Sequence, residues 1–336
     1  MPKQKKTNRV TIYQVAKEAN VSLATVSRVI NGVSVVNADT KALVERTIKK
    51  LGYVPSDVAR GLAKRQSTNV AIVLPSPNYS YISSIMSGML DVCKIYGYYP
   101  YLFTYEDPED AVRVVENVMS SRVEGICCFN SELGAYDLQK MMNIHLPMVL
   151  ISEQNVGDNA LVDIDYSAKL QEVISKKLER GIEKIVYLRN PRKDWHMVSK
   201  FEKAITEAIY KHNGCEYECL LIDDSYTTIY EFFKKKFAKT PPAHELYVTT
   251  RDSLATAILN AAKDLGYKVP DDLEVIGVIG TKQARMCRPT ISSIDVDLYE
   301  VGSIAMRMLT KMLQGSLKDK FFRFYTEYKP RESTKD

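Results

Sequence analysis

From residue 68 onward the sequence alternates short apolar runs with helix-length amphipathic segments. An apolar run at 70–74 precedes a helical pattern at 82–96; 99–103 precedes 109–121; 125–129 precedes 135–143; and 148–151 closes the first half. The second half continues with helical periodicity at 169–180, 201–212, 228–238 and 253–265, interleaved with strand-like runs at 184–188, 219–222, 245–250 and 274–278. Strands that alternate with helices are joined by crossovers, which lay the strands parallel and cover both faces of the sheet. The expected fold class is α/β, with two lobes of parallel sheet. A length of 336 residues suits two or three cores. Ligands in such folds lie at the carboxyl ends of strands, which with two lobes means the cleft between them.

Charge is unevenly spread. The first 69 residues hold 13 Lys or Arg against 4 Asp or Glu, a balance of +9, while the remaining 267 hold 33 against 37. A basic module on a near-neutral body points to nucleic acid or an anionic membrane surface. Residues 11–31 read as two short helices with a corner between them. Thr11 with Gln14 makes a capping box, and Ile12, Val15, Ala16 and Ala19 recur on one helical face. Asn20 tolerates left-handed backbone at the corner, Val21 plugs the core, and Ser22 caps a second helix that buries Val26, Val29 and Ile30. The other face carries Leu23, Ala24, Thr25, Ser27, Arg28 and Asn31. Short polar groups beside one Arg at a helix start suit base edges and phosphates in a DNA major groove.

A third helix is expected over about 39–51, with Val44, Thr47, Ile48 and Leu51 inward and Gly52 as its stop. Lys41, Arg46, Lys49 and Lys50 around it are either a solvated face or phosphate contacts. Residues 53–67 read as a hinge with one or two helical turns, too short to be stable alone and able to fold on DNA. The plain reading of Leu62 within it is packing against the body.

The run TIYQVAKEANVSLATVSRVINGVSVV at 11–36, followed by IKKLGYVPSDVARGLA at 48–63, is similar to the DNA-binding head of the LacI/GalR family of bacterial transcription regulators. With the later segments the similarity spans nearly the full chain. The resemblance implies DNA contacts from Thr11, Tyr13, Ser22, Leu23, Ala24, Thr25, Ser27, Arg28 and Asn31. It also implies that Leu62, with Ala63 beside it, enters the minor groove at the centre of a palindromic operator and kinks it, two heads of a homodimer reading two half-sites. For the body it implies a periplasmic-binding-protein-like core whose chain crosses between lobes near Asp165, Asp295 and Thr326.

Catalytic motifs are missing. There is no G-x-S-x-G, no Walker loop and no G-x-G-x-x-G; Gly277-Val278-Ile279-Gly280 lacks the spacing. His145, His196, His212 and His244 lie apart, and the pairs Asp223-Asp224 and Asp271-Asp272 fall at expected turns. The six cysteines show neither disulfide nor zinc spacing, so no metal or cofactor is expected and a reducing cytoplasm fits best. No export signal and no apolar stretch of membrane-spanning length is apparent, so no membrane partner is expected.

Sugar-binding members of the family carry an aromatic-Asp-Asn/Asp run where this chain has Val278-Ile279-Gly280-Thr281. Their Arg and Gly-aromatic positions fall here on Val198, Ala204 and Ile205. The sugar acceptor is therefore absent. Asp165 and Asp252 remain, and Arg189, Arg192 and Arg251 are added near the expected cleft. Two readings stay open: these cations bind an anionic small-molecule effector bidentately, or they bridge the lobes to Asp165 or Asp252 and hold the cleft shut. The helix at 297–313 resembles that of the family's catabolite-control branch, which is activated by the serine-phosphorylated form of the phosphocarrier protein HPr. That implies contacts from Tyr299, Met306, Arg307 and Lys311, the last two for the phosphoserine. The residues Ile304, Met308 and Leu309 read by themselves as a core stripe of the helix.

The combined expectation is a cytoplasmic, homodimeric regulator, mainly a repressor of carbon-catabolite genes, rather than an enzyme. Its expected parts are a helix-turn-helix domain at 1–55, a hinge at 56–67, one subdomain from 68–165 with 296–325, and a second from 166–295 with 326–336. The alternatives are control by an anionic metabolite in the cleft and, from another class, a solute-binding protein or enzyme of the same lobed fold.

Overall fold

The computed structural model describes residues 10–30, 32, 36–53, 68–76, 79–105, 110–129, 146–152, 159–190, 196–212, 214–223 and 225–335. The chain divides into two compact units, Met1–Thr68 and Asn69–Asp336.

The first unit contains α1 (Ile12–Glu18), α2 (Leu23–Ile30) and α3 (Ala38–Leu51). Thr11 is extended, and its N–H donates to Gln14 Oε1 at 2.7 Å, the reciprocal half of the capping box. Asn20 takes the corner at φ 49, a conformation its short amide tolerates. Ser22 Oγ then accepts the Thr25 N–H at 3.1 Å and opens α2. Gly52 ends α3 at φ 63, where a Cβ would be strained. Val15, Ala16, Ala19, Val26, Val29 and Val44 form one buried cluster with Ile12, Val21, Ile30, Ile48 and Leu51 packed against it. These are the apolar positions that helical spacing turned inward. Thr47 is also buried, its hydroxyl satisfied by the Leu43 carbonyl at 2.9 Å.

The second unit runs β1 (Asn69–Pro75), α4 (Ile82–Tyr96), β2 (Tyr99–Tyr105), α5 (Asp110–Ser120), β3 (Ile126–Phe129), β4 (Met148–Ile151), β5 (Ala160–Asp165), α6 (Ser167–Glu179), β6 (Lys184–Arg189) and α7 (His196–His212). It continues through β7 (Glu216–Leu221), α8 (Tyr226–Lys239), β8 (Glu245–Val248), α9 (Asp252–Asp264), β9 (Leu273–Ile279), α10 (Lys282–Met286), β10 (Ser292–Asp295), α11 (Leu298–Leu313), β11 (Phe321–Tyr325) and β12 (Glu327–Lys329). One six-stranded sheet has the order β11-β5-β4-β3-β1-β2, the other β12-β10-β9-β8-β6-β7. Every pairing is parallel except that of β12 with β10. β3, β4 and β9 are buried along their whole length, as parallel strands covered on both faces must be.

The chain passes between the sheets three times: after β5, after β10 and after β11. Thr326 Oγ1 donates to the Asp165 carbonyl at 2.8 Å, tying two of these passages together. β5, β10, β11 and β12 fall outside the apolar runs that periodicity picked out. The helix expected at 135–143 and the hinge at 56–67 lie outside the described residues. Among the described residues no helix is long and apolar enough to cross a membrane.

α11 packs against α4 and against β3, β4 and β5. The helices meet backbone to backbone. A Cβ on Gly88 would stand 2.0 Å from the Tyr299 carbonyl oxygen, and one on Gly302 would stand 2.1 Å from that of Ile85. Ser303 completes the crossing, its hydroxyl donating to the Gly88 carbonyl at 3.4 Å. This close approach gives α11 a wide buried face: Val301, Gly302, Ala305, Met306, Met308 and Leu309 all point inward.

Candidate functional site

On α2 the buried pair Val26 and Val29 turns the opposite side to solvent. Ser22, Leu23, Ala24 and Arg28 are exposed there, and Thr25 and Ser27 are half-buried. Ser22 and Thr25 also share a hydroxyl–hydroxyl bond of 2.8 Å, so the first turn presents a fixed polar pair. Arg28 forms no ion pair with another described residue. On α1, Thr11 is exposed and Tyr13 is 71% exposed. Of the cations on α3, Lys50 pairs with Glu18 of α1 at 2.8 Å, an exposed contact that also holds the Glu18 carboxyl below its usual range. Asn31, Leu62 and Ala63 lie outside the described residues.

The interlobe cleft is built from the end of β9 and the start of α9. Asp252 opens α9 and is almost wholly buried, with Oδ2 accepting the Thr281 N–H at 2.6 Å. Its Oδ1 has no hydrogen-bond partner among the described residues. Burial pushes this carboxyl up to about 7, with the Thr281 hydrogen bonds acting against it. Ile279 has φ 99, a strained backbone for a β-branched side chain. Its neighbours are held: Thr281 by Asp252, and Gly280 by Arg285, which donates to its carbonyl at 3.1 Å, while Asp295 lies so close that a Cβ on Gly280 would meet its carboxyl at 2.2 Å. Asp295 is in turn paired to Arg331 at 2.6 Å.

Arg251, Asp252, Ile279 and Thr281 of one lobe share a cavity of about 140 Å³ with Tyr79 and Tyr81 of the other. A neighbouring opening of about 600 Å³ has a balanced lining, with Lys282, Arg285 and Lys329 offset by Asp295, Asp297 and Glu327.

Two of the expected cleft residues, Arg189 and Asp165, do not line these two openings. Arg189 forms an ion pair with Glu202 of the following helix at 3.0 Å and lines neither of these two openings. Asp165 caps α6, accepting the Ala168 N–H at 3.2 Å, and lines a separate groove with Lys200 and Arg323. Arg192 lies outside the described residues. Tyr79 is a cleft residue that the sequence did not single out; the only signal was its place just beyond β1.

On α11, Arg307 and Lys311 are exposed one turn apart, and neither forms an ion pair with another described residue. Tyr299 is 45% exposed, and its hydroxyl donates to Asp91 of α4 at 2.8 Å. Met306 corrects the expectation of an exposed contact: it is fully buried in the core, since the glycine crossing draws that side of α11 against α4.

Two family models match the chain: bacterial regulatory proteins of the lacI family over residues 11–56, and a periplasmic binding protein-like domain over 176–334. Catabolite control protein A of Staphylococcus aureus (strain Mu50 / ATCC 700699) is 33% identical over 310 residues, covering 90% of this chain and 92% of the relative. The HTH-type transcriptional regulator pepR1 of Lactobacillus delbrueckii subsp. lactis is 32% identical over 338 residues, covering 97% and 98%. The crystal structure of the lac repressor dimer bound to operator and the anti-inducer ONPF superposes with a TM-score of 0.83 at 20% identity, over 97% of this chain and 99% of that one.

Proposed function

The chain belongs to the LacI family of bacterial regulatory proteins, DNA-binding transcriptional regulators, and from that membership we propose that it is a catabolite-control regulator with serine-phosphorylated HPr as its corepressor. It acts mainly as a repressor, binding a palindromic operator as a homodimer. The observation that carries the corepressor reading is the pair Arg307 and Lys311, exposed at i, i+4 on α11 with no ion-pair partner among the described residues. A phosphoserine brings a charge of about −1.5 to −2 and three acceptor oxygens, which two adjacent cations match. Tyr299 and Asp91 beside them give the partner an aromatic and a polar contact.

The test is operator affinity, by fluorescence anisotropy, with and without serine-phosphorylated HPr. Enhancement by the phosphorylated form alone is expected, and Arg307→Ala is expected to reduce that enhancement about 10- to 100-fold, the range of a charge-assisted hydrogen bond. Equal operator affinity with and without phosphorylated HPr would remove the corepressor and leave a LacI-family regulator of another signal.

On the head, Ser22, Thr25 and Arg28 form the reading edge, with Leu23 and Ala24 available to apolar parts of the bases. Arg28→Ala is expected to weaken operator binding about 10- to 100-fold where Arg28 reads a guanine, and to leave non-specific DNA binding little changed. Equal losses on operator and random duplex, followed across a salt series, would instead make Arg28 a phosphate contact. Leu62, by the family resemblance, supplies the minor-groove wedge.

A further inference from the structure

We propose that Arg251 is a built-in occupant of the interlobe cleft, a latch that holds the two lobes closed without any small molecule. The sequence leaves two roles open for this residue, an anion ligand or a bridge between lobes. The geometry points to the bridge, with an aromatic ring of the other lobe as a partner. Arg251 stands immediately before α9 in one lobe, and its guanidinium carbon lies 4.6 Å from the centroid of the Tyr79 ring in the other. Only 6% of the residue is exposed, so the contact is desolvated.

Tyr79 does not stand alone. Its ring is stacked on that of Tyr81 at 5.5 Å with an interplanar angle of 8°, and Tyr81 leans on Phe129 at the end of β3 at 6.0 Å. The latch therefore seats on a ladder of three rings that leads into the core of the first lobe. On its own side Arg251 is fixed by the backbone that begins α9, where Thr249 Oγ1 donates to the Arg251 carbonyl at 2.9 Å.

The space left around the guanidinium is itself small. Pockets that enclose small molecules usually hold about 300–1,000 Å³. The cavity lined by Arg251, Tyr79 and Ile279 holds about 140 Å³, room for a few waters. Within this cavity the side chain takes the place a ligand would fill; the neighbouring opening of about 600 Å³ shares Tyr81, Ile279 and Thr281 with it but is not lined by Arg251. Ile279, where the family's sugar binders carry a carboxylate, adds an apolar wall and no hydrogen-bond acceptor from its side chain. The reading concerns the body alone and does not depend on the HPr proposal.

Lobe closure is measured on the full-length protein without ligand, by small-angle X-ray scattering and by hydrogen exchange at 79–82 and 279–281. Wild type is expected to scatter as the closed form. Arg251→Ala and Tyr79→Leu are each expected to open the lobes and to raise exchange about tenfold or more, the size of a desolvated cation–π contact. The double variant should open no further than either single one, and Tyr79→Phe, which keeps the ring, should stay closed. Tyr79→Leu carries the test should Arg251→Ala fail to fold by circular dichroism. Wild-type scattering and exchange in folded Arg251→Ala or Tyr79→Leu would overturn the latch. So would a wild type that closes only when glucose 6-phosphate or inorganic phosphate is added.

Discussion

Gly302→Ala is expected to destabilise the body by about 3 kcal/mol, lowering its melting midpoint by on the order of 10 °C. The added methyl would stand 2.1 Å from the Ile85 carbonyl oxygen, and a carbonyl held in a helix cannot rotate aside as a side chain would. α4 and α11 must therefore separate. Separation exposes the apolar face they share, including Ile85, Met89, Val301, Ala305 and Met306, all buried in one core cluster. The same shift displaces Arg307 and Lys311, which project from the opposite side of α11, and it breaks the Tyr299–Asp91 hydrogen bond that joins the two helices on the surface. If the proposed corepressor role holds, the response to phosphorylated HPr should fall with stability, while the head, a separate compact unit, keeps its own fold. Thermal unfolding followed by circular dichroism checks the first effect. A midpoint within a degree or two of wild type would mean that the helices do not meet backbone to backbone.

This crossing also marks where sequence reading stops. Helical spacing separates Ile304, Met308 and Leu309 from Arg307 and Lys311 on α11, whereas the family resemblance placed Met306 among the contact residues. The width of a helix's buried face depends on how closely a second helix approaches, and that is set by Gly88, more than 200 residues away in the chain. The head was far more legible. Its core is local, every contact lies within about 50 residues, and caps such as Thr11 with Gln14 and Ser22 with Thr25 announce themselves in the sequence. In the body the strands buried on both faces read as apolar runs. Those that did not, β5 with Asp163 and Asp165, β10 with Ser292 and Ser293, and the exposed edge β11, carry polar groups or face solvent and so lose the pattern. The cleft fell between these cases. Arg251, Asp252 and Ile279 were found as a group because each lies at or next to a strand end. Tyr79, the partner that fixes the role of Arg251, comes from the other lobe, and no periodicity connects the two.

Asp252→Asn is expected to remove a pH dependence of stability that the wild-type protein carries across the acid to neutral range. The carboxyl keeps its proton up to about pH 7 in the fold, against an ordinary value of 3.8. Between these values the native state binds more protons than the unfolded chain, so stability falls as pH rises from about 4 to about 7 and is level beyond. About three pH units correspond to roughly 4 kcal/mol, and the field at the start of α9 favours the anion by up to about 1, leaving on the order of 3 kcal/mol. Asparagine keeps the shape and an oxygen to accept the Thr281 N–H, and it never ionises. The variant should therefore match wild type near pH 4 and exceed it by about 3 kcal/mol at pH 8, read as the difference between urea midpoints so that other titrating groups cancel. Because Asp252 fixes Thr281, and Thr281 follows the strained Ile279, ionisation should also loosen the wall of the cleft before the rest of the body yields. Hydrogen exchange at 279–281 should accelerate above pH 7 in wild type beyond its intrinsic pH trend, and should not do so in the variant. A variant less stable than wild type at pH 8 would show the opposite balance, with the carboxylate ionised in the fold and the start of α9, with Arg331 nearby, outweighing its burial.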